Sequence, residues 1–173
     1  MDEGAFRNSV LPWCKQLVKD WKKKAKLNPD SMDAFSEKLV TGWIPYHSTK
    51  TGQKTWHEFK REVDITIGRR DRVDEDEVLI PFIAIELKVG NNLNTAELDK
   101  KSSVYSSLKE IYPWVLNIFI NKSNYSRGMK DESWLRNARQ FNLVLTDWNK
   151  KTKTMLREAI NYHLNYLVKY WKL

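Results

Sequence analysis

The sequence predicts an α/β fold in which a mixed central β-sheet, part of it an antiparallel meander, is flanked by α-helices. Three observations carry this. Apolar residues recur at helical spacing near both ends, and short β-branched runs fill the middle. The elements also alternate: helices, a strand meander, then helix, strand, helix, strand, helix. With 173 residues, 41% hydrophobic content and eight Trp, one folded domain spanning 1–173 is expected.

Ala5 to Leu27 reads as a helix, with Leu11, Trp13, Leu17, Val18 and Trp21 roughly on one side. Asn28-Pro29-Asp30-Ser31 interrupts it. Met32, Phe35, Leu39 and Val40 then follow at helical spacing up to Gly42, so N-terminal helices are expected over about 5–41. Thr51-Gly52 marks a turn between extended pieces at Trp43 to His47 and Thr55 to Ile67. The polar stretch Arg69 to Glu77 reads as a hairpin loop leading into a strand that ends at Val89. Pro81 cannot donate to a ladder, so an edge or a bulge is expected beside it. A helix is predicted from Thr95 to Tyr112, a buried strand over Trp114 to Ile120, and a short helix near Lys130 to Arg139. A strand over Phe141 to Leu145 follows. Leu156, Ala159, Ile160, His163, Leu164, Leu167 and Trp171 make a closing helix over about 151–172, whose apolar face suits either core or an interface.

No apolar run approaches the roughly 20 residues of a membrane span. The first residues lack the basic-then-apolar build of a leader. Cys14 is the only cysteine, which excludes an internal disulfide and a cysteine zinc site. A soluble intracellular (cytoplasmic) protein without a membrane partner is expected. The net charge is +8, with Lys15, Lys19, Lys22, Lys23, Lys24 and Lys26 opposed only by Asp20. A second basic group lies beyond Lys150, while acids gather between Asp71 and Glu77. Basic flanks around an acidic middle suit a polyanion; the alternative is a set of solvated helix faces.

Charge inside the apolar strands is the informative feature. Asp64 sits in Val-Asp-Ile-Thr-Ile, and Glu86 and Lys88 sit in Ile-Ala-Ile-Glu-Leu-Lys-Val. Strand residues two apart share a face, so Glu86 and Lys88 point together, opposite Ile83, Ile85, Leu87 and Val89. A hairpin centred near Glu75 would set Asp64 opposite Glu86, about 5 Å apart at Cβ. Facing carboxylates repel unless a cation separates them. Asp64, Glu86 and the Leu87 backbone carbonyl form an oxygen set suited to Mg²⁺, with Lys88 one pleat away to orient water and offset negative charge. The alternative for the same residues is an interstrand salt bridge on a solvated face.

"Val-Asp-Ile" followed by "Glu-Leu-Lys" resembles the PD-(D/E)XK nuclease superfamily, with its restriction-endonuclease-like fold. The resemblance covers these strands and, more loosely, the element order from about Asp33 to Leu145. Val63 stands where the motif has proline. The resemblance implies Asp64 and Glu86 as ligands of Mg²⁺, which Mn²⁺ can replace, and Lys88 as catalytic lysine. Glu37, on the expected second helix, matches an acid that some members add; Glu62 competes for that role. Lys101 and Tyr105 occupy the spacing of a Gln-x-x-x-Tyr pair found in end-degrading relatives, with Lys in place of Gln. That lysine could hold a phosphate. Lys54 and Trp56 are further candidates for nucleic-acid contact.

The expectation is therefore a metal-dependent endonuclease acting on DNA, with a symmetric dimer able to place two sites on two strands. The alternative is a catalytically inactive nuclease-fold module that binds DNA or assembles with other proteins. His163 reads as a core or interface residue, Cys14 as buried, and most Trp as core.

Overall fold

Asp2 opens the first helix, α1 (Glu3–Ala25), by accepting the Ala5 N–H at 2.7 Å. Lys26 ends it in the left-handed conformation, after three lysines that suit the negative end of the helix. The structure, a computed structural model, is described for residues 2–28, 31–36, 38–47, 49–73, 76–90, 95–122 and 140–171. At 38–47, 54–59, 73, 76, 95–100 and 171 the backbone alone is described. After α1 come β1 (Asp33–Phe35), β2 (Lys38–His47), β3 (Lys54–Glu62), β4 (Ile65–Val73) and β5 (Asp76–Val89). Then follow α2 (Thr95–Ile111), β6 (Leu116–Lys122), β7 (Leu143–Thr146) and α3 (Lys150–Trp171).

Five strands form one mixed sheet in the order β1-β4-β5-β6-β7. β1, β4 and β5 pair antiparallel; β5, β6 and β7 run parallel, with α2 as the crossover from β5 to β6. β2 and β3 form a separate two-stranded sheet. The helix expected over Met32 to Val40 is absent: its residues supply β1 and the start of β2, because Ala34 and Phe35 pair with Ile67 and Thr66. The piece read as one strand from Thr55 to Ile67 divides at Val63-Asp64, β3 entering the small sheet and β4 the large one. Asp64 therefore does not share a strand with Glu62 and Lys60. The helix expected near Lys130 to Arg139 lies outside the described residues.

Each face of the large sheet has its own core. One gathers Ile65, Ile67, Ile83, Ile85, Leu87, Ile118 and Ile120 under α1 and α3. The other places Ala84, Phe119 and Val63 beside Tyr105, Leu108 and Tyr112 of α2 and its end. On α3, Leu156, Ile160, Leu164 and Leu167 are buried, whereas Tyr162, Tyr166 and Tyr170 are exposed. Of the two fates read for the apolar face of this helix, the structure shows the core.

The stretch Arg69 to Glu77 is not a loop. β4 continues to Val73 and β5 begins at Asp76, with charged partners such as Arg70 and Glu77 (2.9 Å) on the two arms. The register then slips: Val73 faces Asp76 and Gly68 faces Pro81, but Ile67 faces Ile83. Phe82 is the extra residue, a β-bulge beside Pro81 as expected. Phe82 and Ile83 consequently enter the same core. Gly68 is required there, because a Cβ would lie 2.3 Å from the Ile80 carbonyl oxygen. Side chains take up the bulge carbonyls: Trp114 Nε1 donates to Pro81 at 3.0 Å and His163 Nε2 to Phe82 at 3.2 Å.

Candidate active site at the β4–β5 junction

The bulge decides which side chains meet. Beyond it the ladder ends with Thr66–Ala84 and Ile65–Ile85. The same alternation, carried one residue further, sets Asp64 beside Glu86. Without the extra residue Asp64 would oppose Ile85, and the two carboxylates would lie on opposite faces. Asp64 folds back to accept the Leu87 N–H at 2.8 Å. The N–H and C=O of one strand residue project toward the same neighbour, so the Leu87 carbonyl also points to the Asp64 side, past the last ladder pair.

Glu86 is 1% exposed and lies on the α2 face. Tyr105 donates its hydroxyl to Glu86 Oε2 at 3.0 Å, and the Lys101 ammonium pairs with Oε1. Lys101 and Tyr105 are one helical turn apart, so α2 presents both to the same carboxylate. The site thus contains the residues of the Lys-x-x-x-Tyr spacing, with Lys101 on a carboxylate. Lys88, on the same face of β5, pairs with Glu3 Oε1 at 2.7 Å. A cavity of about 220 Å³ opens at this point, lined by Glu3, Gly4, Arg7, Glu62, Asp64 and Lys101. Glu62 reaches this cavity at its exposed rim, 3.5 Å from Arg7.

Burial and crowding of like charge dominate the electrostatics. Burial, reinforced by Asp64, pushes the Glu86 carboxyl up to about 7 despite Lys101 and Tyr105. Asp64 is raised too, chiefly by burial, with the Leu87 N–H and Lys101 acting the other way. Burial opposes the charge on Lys101, yet the Glu86 carboxylate outweighs it and the ammonium is held above its usual range. Burial, then Glu86, raises the Tyr105 hydroxyl well above normal, so it remains a donor. Among the described residues no three His, Cys, Asp or Glu side chains converge on one point as a ready metal cage. Two carboxylates and a carbonyl are a partial oxygen set of the kind Mg²⁺ takes with water completing its octahedron. Glu86 Oε1 is buried and already draws a cation, the Lys101 ammonium, which supplies the kind of charge such an ion would bring.

Of the remaining predicted residues, Glu37 and the side chains of Lys54 and Trp56 lie outside the described residues. Cys14 is buried, its thiol pushed up to about 12 by burial, and His163 is half-buried against the bulge with its imidazole lowered by burial. Sequence reasoning missed Glu3 and Arg7. They reach the cavity from the far end of the chain, and no local pattern marks them. The helix expected at the N-terminus, carried to its first turn, was the one available signal.

The sheet order, its crossover helix and the bulged strand β5, which carries Glu86 and Lys88 and meets Asp64 just before the start of β4, together define a restriction-endonuclease-like fold. No family model and no curated protein matches the chain. Among solved structures, the chain is similar to the native BbvCI A2B2 tetramer at low resolution, BbvCI being a restriction endonuclease. The TM-score is 0.52 at 13% identity, covering 77% of this chain and 59% of that one. That likeness concerns the fold. Among the described residues no helix is long and apolar enough to cross a membrane.

Proposed function

We propose that this chain is a metal-dependent nuclease hydrolysing DNA phosphodiester bonds, an endonuclease rather than an exonuclease. One observation carries the reading: the bulge brings Asp64 beside Glu86 on the face of β5 that also bears Lys88. Asp64, Glu86 and the Leu87 carbonyl would hold Mg²⁺, or Mn²⁺ in its place. A bound divalent ion acidifies water and offsets charge on a phosphate. The chain's own groups do the rest. Lys88 steadies the attacking water and the developing negative charge, and Tyr105 fixes the Glu86 carboxylate. Water adds to phosphorus, one P–O ester bond breaks, and the departing oxygen takes a proton. Lys101 in place of Gln argues against the end-degrading subtype. DNA is the partner, inside the cell, and a homodimer would set one site on each strand of a duplex.

The test is a panel of labelled duplexes, junctions, flaps and single strands with Mg²⁺ or Mn²⁺. Cleavage is expected from the wild type and at least about a hundredfold less from Lys88→Ala or Asp64→Ala at equal fold content. Undiminished cleavage by either variant, or cleavage that survives EDTA, would overturn the assignment.

A second reading, an inactive nuclease-fold module, is favoured by the Lys101 ammonium on Glu86 Oε1, which supplies a cation to the carboxylate without metal. It predicts salt-sensitive DNA binding and no cleavage across the whole panel.

A further inference from the structure

Asn121, near the end of β6, is fully buried, and among the described residues neither its Oδ1 nor its Nδ2 has a hydrogen-bond partner. An orphaned buried amide is a cost, and native proteins keep few of them. Its place is fixed by its neighbours. Asn117 donates to the Tyr105 carbonyl at 3.1 Å, and Phe119 packs with Phe141 in the α2 core. Ile118 and Ile120 lie in the opposite core, and Lys122 sits over Phe6 on that same side. Alternation therefore turns Asn121 toward α2. In the parallel register Asn121 stands directly beside Lys88, as Phe119 stands beside Glu86. The orphan thus borders the candidate site on the side away from Asp64.

We propose that Asn121 is a positioning residue of this site: its Oδ1 receives the Lys88 ammonium and its Nδ2 donates to a water enclosed beside it. Both halves of the amide then gain the partners they lack. The idea rests on the nuclease reading above and extends it by a residue on a third strand. Glu3 holds Lys88 in the structure described here, so the ammonium would exchange a carboxylate at the cavity for an amide over the sheet when substrate arrives.

Asn121→Leu, close in volume, separates this role from a structural one. Removing an unpaired buried amide should raise the melting temperature by about 2–4 °C. At the same time kcat should fall by about tenfold or more with KM unchanged, and Mg²⁺ affinity by calorimetry should stay within about twofold. Asn121→Gln, which keeps the amide, should recover part of kcat without the gain in melting temperature. Wild-type kcat in Asn121→Leu would overturn the proposal. So would a loss of stability that tracks the loss of rate, the mark of an amide serving only the fold. If the wild type cleaves nothing while Asn121→Leu is merely stabilised, the nuclease reading itself fails and the role of Asn121 falls with it.

Discussion

The two faces of the five-stranded sheet are made from the same strands and differ in chemistry. Under α1 and α3, the strands contribute Ile, Leu and Phe, all buried. Under α2, the same strands contribute Thr66, Glu86, Asn117 and Asn121 beside the apolar Ala84 and Phe119, so polar groups are buried there as deeply as the core. Each buried polar group on this second face costs stability unless it is paired. The first face needs no such compensation. The contrast separates two tasks: α1 and α3 close a core that holds the sheet, and α2 covers a surface where charge can be placed and kept. Strand alternation makes the division possible, because a single strand serves both faces.

Several experiments break or sharpen that contrast. The largest effect should come from moving the charge across the sheet. Ile85→Glu puts a carboxylate one residue from Glu86, but on the apolar face where nothing pairs it. Loss of more than about 4 kcal/mol, read as an unfolded circular-dichroism spectrum at room temperature, is expected.

The next largest effect is a pH dependence confined to the polar face. Burial pushes the Glu86 carboxyl up to about 7 from its ordinary 4.5, so the folded chain holds its proton more tightly. The contribution of this carboxyl to the stability of the metal-free protein should therefore be greatest below about pH 4.5 and fall as pH rises toward 7. The fall is at most on the order of 3 kcal/mol. Asp64, also raised, acts in the same direction. Urea midpoints taken across this window should show the fall in the wild type and a much shallower one in Glu86→Gln. Equal slopes would mean that the carboxyl is not held as described.

Gly68→Ala comes third. The added methyl meets backbone at Ile80, so the bulge must shift, at about 2 kcal/mol. Mg²⁺ affinity should drop at temperatures where the variant is still folded, since the register joining Asp64 to Glu86 depends on this bulge. Arg70→Ala is the smallest. It removes an exposed ion pair with Glu77 and the stacking of the guanidinium over Phe35 at 4.8 Å, and should lower stability in urea by about 1 kcal/mol or less.

Much of the site could be read from the sequence because strand period and charge are local signals. Glu86 and Lys88 were assigned to one face by alternation alone, and Pro81 announced the bulge. The convergence of Asp64 with Glu86 was expected from a hairpin centred near Glu75. The last pair of the ladder, Val73 with Asp76, centres it half a residue before Glu75, and Phe82 supplies the missing half-step. The early strands were not legible. Met32, Phe35, Leu39 and Val40 satisfy a helical spacing, and what overrides it is pairing with β4, about 30 residues downstream. Arg69 to Glu77 read as a loop because hairpin arms projecting beyond the covered sheet need no apolar face. Glu3 and Arg7 lie about 60 residues before Asp64, and only the packing of α1 across the sheet brings them to the cavity.

Phe82 also sets a rule for how this chain tolerates changes in length. One unpaired residue reverses odd and even along β5, so positions on either side of it count differently. Insertions or deletions at the hairpin tip, beyond Gly68, alter the reach of the arms and leave the parity at Asp64 intact. A single insertion between Phe82 and Glu86 would turn the carboxylate into the apolar core, whereas a paired one would only lengthen the strand. Natural variation in this hairpin should accordingly be free at its tip and come in steps of two near its base.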